Sequence, residues 1–127
     1  MAADDFAVRA AGPFALNVQG DTAEVFPGNL SGPALSLTRS RRAPVAIAID
    51  DRLTGLGWGR EWIESCAVRG VVVRHVVAHL EPRAVYELRR EGKKAGRFKA
   101  DREGKIEFKT TFDAAGPERF ELLIQSR

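Results

Sequence analysis

The stretch FKADREGKIEFKTTF, residues 98–112, decides how this chain is read. Ile106, Phe108, Thr110 and Phe112 alternate with Glu107, Lys109 and Thr111, the cleanest alternation in the sequence, and Phe98 and Ala100 alternate before them. Successive side chains on a strand point to opposite faces, so this pattern describes strands that are dry on one side and wet on the other. Between the two runs, Asp101-Arg102-Glu103-Gly104 has the composition of a type I turn whose glycine supplies the left-handed residue, a connection suited to a hairpin.

Working outward, the same period recurs in short runs broken by Gly, Pro and Asp. Tyr86 and Leu88 precede the turn pair Glu91-Gly92, and the run Val71 to Leu80 is valine-rich. Val45, Ile47 and Ile49 alternate up to Asp50-Asp51, and Leu35 and Leu37 mark a strand before the polar connection Arg39 to Arg42. Phe6 and Val8 form a further run, then Phe14, Leu16 and Val18, then Ala23 and Val25 before the turn signature Pro27-Gly28-Asn29. Phe120, Leu122 and Ile124 close the chain. About nine or ten strands at a spacing of roughly 8–12 residues predict an all-β antiparallel sandwich.

Residues 51–69 resist this scheme. They hold three glycines, and Trp62, Ile63 and Cys66 fall at helical spacing, so the expectation is one long loop with room for a short helix.

Composition agrees with one domain spanning residues 1–127. The chain has 127 residues, 44% hydrophobic and 29% charged, with 12 Gly and 6 Pro. A chain of this size buries about two-thirds of its unfolded surface, enough for one core without staples. No apolar run approaches the ~20 residues of a membrane-spanning helix. Cys66 is the single cysteine, so no intrachain disulfide forms. The opening MAADDFAVRA has neither a basic region nor an apolar one, so it reads as no signal peptide. The location expected is extracellular if the chain is an excised module, and otherwise cytoplasmic.

The net charge of +3 is unevenly placed. Residues 83–109 carry ten Arg and Lys against five Asp and Glu, hence +5, and leave −2 for the rest. All five lysines lie in that stretch. Such a run solvates a hairpin and discourages edge-to-edge pairing. It also suits a shallow basic face for an anionic polymer, although the interspersed acids and the lack of aromatics among the lysines make nucleic acid the weaker partner.

The most specific local motif is Leu80-Glu81-Pro82-Arg83-Ala84-Val85-Tyr86. Its L-x-P-x-x-x-Y spacing resembles the corner between the fifth and sixth strands of fibronectin type III and related immunoglobulin-like sandwiches. There the leucine caps the core, the proline turns the chain and the tyrosine hydroxyl bonds back to the backbone. Downstream, YELRREGKKAGRFKADREGKIEF looks like the strand and turn succession of small β-sandwich modules appended to bacterial extracellular and carbohydrate-active enzymes. The resemblance covers residues 71–127 and implies an immunoglobulin-like sandwich acting as a non-catalytic accessory module. Such a module contacts polysaccharide or packs on an adjacent catalytic domain.

On that reading the binding residues are Trp58, Arg60 and Trp62, an aromatic platform with a polar anchor, and secondarily the basic strip Lys93, Lys94, Arg97 and Lys99. The same tryptophans also suit a plug at one end of a sandwich. No cofactor or metal is expected. His75 and His79 are four residues apart, about 13 Å along a strand, too far to share one ion. Asp50-Asp51 suits a turn or cap, and Ser65-Cys66 lacks a nucleophile elbow. Two other functions stay open: a stand-alone hydrolase or lyase with a site near Asp50, Asp51 and His75, and a weak basic nucleic-acid binder.

Overall fold

The computed structural model describes residues 6–10, 14–27, 32–49, 59–113 and 116–126. It is an all-β sandwich, as the alternation predicted, and no helix occurs among the described residues. The strands are β1 (Phe6–Ala10), β2 (Phe14–Gln19), β3 (Thr22–Pro27), β4 (Leu35–Arg39), β5 (Val45–Ile49), β6 (Gly59–Cys66), β7 (Val72–Val77), β8 (Val85–Arg90), β9 (Lys93–Lys99), β10 (Ile106–Thr111) and β11 (Glu118–Ser126).

The first sheet runs β1-β5-β6-β11-β8-β9 and the second β10-β7-β4-β3-β2. Every neighbouring pair is antiparallel except β1 with β5, which is parallel. The second half of the chain is nested. β8 pairs with β9, β7 with β10, and β6 with β11, alternately in the first, second and first sheets.

The turns follow their chemistry. Glu91 and Gly92 both have positive φ, 53° and 76°, as a two-residue hairpin requires to match strand twist. Asp101 to Gly104 closes with a 3.0 Å hydrogen bond from the Gly104 amide to the Asp101 carbonyl, and Gly104 has φ 78°. This turn does not make the hairpin its sequence suggested. β9 and β10 lie in different sheets, so the turn carries the chain across the sandwich.

The core lies between the sheets. From the first sheet come Val45, Ile47, Trp62, Cys66, Tyr86, Leu88, Phe120 and Leu122, and from the second Val25, Leu35, Leu37, Val73, Val77, Ile106 and Phe108. Burying each large apolar side chain contributes about 1.5–3 kcal/mol, which is where the stability of a chain without disulfides resides.

Two expectations need correction. The stretch 51–69 is no loop with a helix in its described part, because Gly59–Cys66 is a strand with Trp62, Glu64 and Cys66 facing inward. Its period of two was masked by an inward glutamate and an outward isoleucine, Ile63, which is 39% exposed. Likewise Arg39 does not open a polar connection. It ends β4 facing inward, buried, with its guanidinium over the Phe6 ring at 4.3 Å and bonded to Asp21 at 3.0 Å and to the Ala43 carbonyl at 2.7 Å.

Candidate functional site

The outer face of β8 and β9 presents the basic strip. Inward residues of β8 are Tyr86 and Leu88, so Val85, Glu87 and Arg89 point outward, opposite Lys99, Arg97 and Lys94 respectively. The register shifts between Leu88 and Arg89, and this bulge brings Lys94 rather than Ala95 opposite Arg89. Lys93 sits beside the hairpin turn, opposite Arg90. All four cations, Lys93, Lys94, Arg97 and Lys99, are exposed. Among the described residues none of them enters an ion pair.

The field of this strip is felt by its neighbour. The Arg89 guanidinium, 2.6 Å from Glu87, holds the Glu87 carboxyl below its usual range, and Lys94 and Arg97 pull it the same way. Arg89 is thereby engaged, while Lys94, Arg97 and Lys99 keep donors directed to solvent along one edge of the sandwich. Strand residues two apart on a face are separated by about 6.6 Å, so the strip is a row rather than a pocket.

Of the aromatic platform, Trp62 lies in the core. It is 1% exposed and stacks on Phe120, its partner across β6 and β11, with ring centroids 5.6 Å apart and planes 6° from parallel. It offers no face to a ligand. The indole is buried because β6 is an inner strand whose even residues point at the opposite sheet. Trp58, Asp50 and Asp51 lie outside the described residues, as does the side chain of Arg60, whose backbone belongs to β6.

Trp62 opens instead onto a buried polar group that sequence reading missed. Its indole Nε1 donates to Glu64 Oε1 at 3.0 Å, and His75 Nε2 lies 2.7 Å from the same oxygen. The Glu64 and His75 side chains are both 0% exposed. The imidazole stacks on Phe108, its partner across β7 and β10, at 4.5 Å and 7°. The second carboxylate oxygen of Glu64 and Nδ1 of His75 have no hydrogen-bond partner. An enzymatic reading would centre on His75, whose imidazole and the Glu64 carboxylate are both shielded from solvent. The signal for Glu64 was its place two residues after Trp62 and two before Cys66.

His79 lies apart from His75. It follows β7 with φ 60° and lines a cleft of ≈ 340 Å³ with Glu24, Pro33, Ser36, Glu103 and Lys105 on the outer face of the second sheet. Among the described residues no group of three His, Cys, Asp or Glu is placed to hold a metal ion. Cys66 is buried with its thiol directed at the Val68 carbonyl, 3.6 Å away. Glu61 is also nearly buried and pairs with Arg119 at 2.7 Å.

Leu80 to Tyr86 carry the chain from β7 in the second sheet to β8 in the first. The Tyr86 hydroxyl accepts a 3.0 Å hydrogen bond from the Glu81 amide, and Tyr86 itself is fully buried. Leu80 caps the core, and its amide bonds to the Gly104 carbonyl at 3.0 Å, which ties the corner to the turn entering β10. No family model, no curated protein and no solved structure matches this chain.

Proposed function

We propose that this chain is a non-catalytic accessory module that contacts an acidic polysaccharide through the outer face of β8 and β9. The observation that carries the reading is the row Lys94, Arg97 and Lys99, exposed and without ion pairs among the described residues. A row of cations on a sheet face matches a polymer whose carboxylate or sulfate groups recur along its length, and both partners keep most of their hydration. The Leu80, Pro82 and Tyr86 corner supports the likeness to sandwich modules attached to carbohydrate-active enzymes. A fold of this class hosts many roles, so the site and not the fold carries the reading.

The test is binding to alginate and heparin against a neutral glucan, at several salt concentrations, with the double charge reversal K94E/R97E. Binding to the acidic polymers that weakens with salt and is lost in the variant supports the reading. Equal binding to the neutral glucan, or binding unchanged by the reversal, would sink it. A preference for single-stranded DNA with a steep salt dependence would replace the polysaccharide with nucleic acid.

A further inference from the structure

We propose that β2 is a self-association edge, and that two copies of this chain join their second sheets by antiparallel pairing of β2 about a two-fold axis. Among the described residues the sandwich has four edge strands, β1, β9, β10 and β2. β9 carries Lys93, Lys94, Arg97 and Lys99, β10 carries Glu107 and Lys109, and β1 carries Arg9. Charges on an edge oppose pairing with another chain. β2, Phe14-Ala15-Leu16-Asn17-Val18-Gln19, has none.

Two apolar residues of β2, Leu16 and Val18, are also uncovered. Leu16 and Val18 stand opposite Val25 and Ala23 of β3, hence on the same face of the sheet. Val25 and Ala23 are 1% and 0% exposed, whereas Leu16 and Val18 are 40% and 46% exposed. The second sheet therefore projects past its cover by one strand, and the projecting strand is apolar on the inner side.

The backbone has the matching geometry. The Asp21 and Val25 carbonyls accept from Arg39 and Ala34, on the β4 side, so the alternate residues Thr22 and Glu24 bond toward β2. Their partners are Gln19 and Asn17. The amides and carbonyls of Leu16 and Val18 consequently face the open edge.

β2 is complementary to itself. A two-fold axis at Asn17 sets Leu16 opposite Val18 of the second copy and Val18 opposite its Leu16, two hydrogen-bonded pairs with four backbone bonds. The apolar row then runs without a break from one inner face to the other, and no charge meets a like charge. The strand spans about 20 Å, so the interface is at the small, transient end of the size range and association depends on concentration. This inference is independent of the basic strip, which lies on the other sheet.

Light scattering on the intact chain, from roughly 1 µM to 1 mM, reads the association. The exposed double variant L16K/V18K, checked for folding by circular dichroism, weakens it by about 100-fold, since like charges face each other across the axis. N17C provides a second measurement. Asn17 would face its copy in a non-hydrogen-bonded pair with Cα atoms about 4.5 Å apart, within disulfide reach, so mild oxidation gives a covalent dimer. A95C on the edge strand β9 gives none. A chain that stays monomeric with N17C cross-linking no more than A95C overturns the proposal, as does a dimer unaffected by L16K/V18K. A monomeric chain that captures a synthetic FALNVQ peptide also overturns it, assigning the edge to an extended partner instead.

Discussion

The Nε2 atom of His75 lies 2.7 Å from Oε1 of Glu64, and the two side chains, from opposite sheets, are fully buried. The pair couples β6 to β7 across the sandwich, with the Trp62 indole as a third member. A buried pair of this kind stabilises little against well-packed apolar replacements, but losing one partner strands the other.

Substituting one member at a time is therefore expected to cost more than substituting both. E64L and H75L each lose about 3–5 kcal/mol, and the double substitution E64L/H75L recovers a large part of the sum. Urea unfolding of the four proteins, with the slope checked for constancy, completes the cycle. Additive losses would mean that the two groups do not interact.

Gly104 is irreplaceable for two reasons. A Cβ there would lie 2.3 Å from the Leu80 carbonyl oxygen, and φ is +78°. G104A is expected to lose about 3 kcal/mol or more, combining backbone strain with displacement of the corner. Gly92 has a similar φ, +76°, with open space around it, so G92A loses only about 1 kcal/mol. Thermal unfolding separates the two, and equal shifts would remove the packing argument.

Tyr86→Phe removes the hydroxyl that accepts the Glu81 amide and leaves the ring in place. The expected loss is about 1–2 kcal/mol, the cost of one half-buried donor left without its acceptor. Chemical denaturation of the variant checks it. An unchanged midpoint would make the hydroxyl incidental to the corner.

Acid is expected to destabilise the fold through three carboxylates. Asp101 accepts from the amides of Lys105, Glu103 and Gly104, Glu87 is bonded to Arg89, and Glu107 to Arg74, and each is held below its usual range. A carboxyl depressed in the folded state contributes stability that is fully present above its unfolded value. That contribution is lost as pH falls through the folded value. Melting temperatures measured between about pH 5 and pH 2 should decline, and D101N should flatten part of that decline. A variant with the wild-type slope would show that Asp101 is not among the causes.

Strands with one wet and one dry face were legible in the sequence, because the hydrophobic effect writes itself as period two. The hidden strand was β6, and the reason is specific. Glu64 occupies an inward position that His75, on the other sheet, and the Trp62 indole make tolerable, and Ile63 occupies an outward one. The histidine–carboxylate pair was illegible for the same reason, since its members meet only once the sheets are stacked. Trp62 offered a choice between platform and plug, and the inner position of β6 places it in the core between the sheets. The cations of β9 needed no partner to be noticed, and their placement on one face follows from alternation and one bulge.

β11, the last of the described strands, is not at an edge but between β6 and β8. Until Glu118–Ser126 is available, β6 and β8 have no bond to each other, and the first sheet is two separate ribbons with raw flanks. Folding thus waits on the final strand, with most contacts arising between distant parts of the chain, a topology that folds slowly and as a unit. A chain shortened before Glu118 would not be a smaller version of the same sandwich. It would be a molecule with two fresh edges in its middle, and aggregation would be its first chemistry.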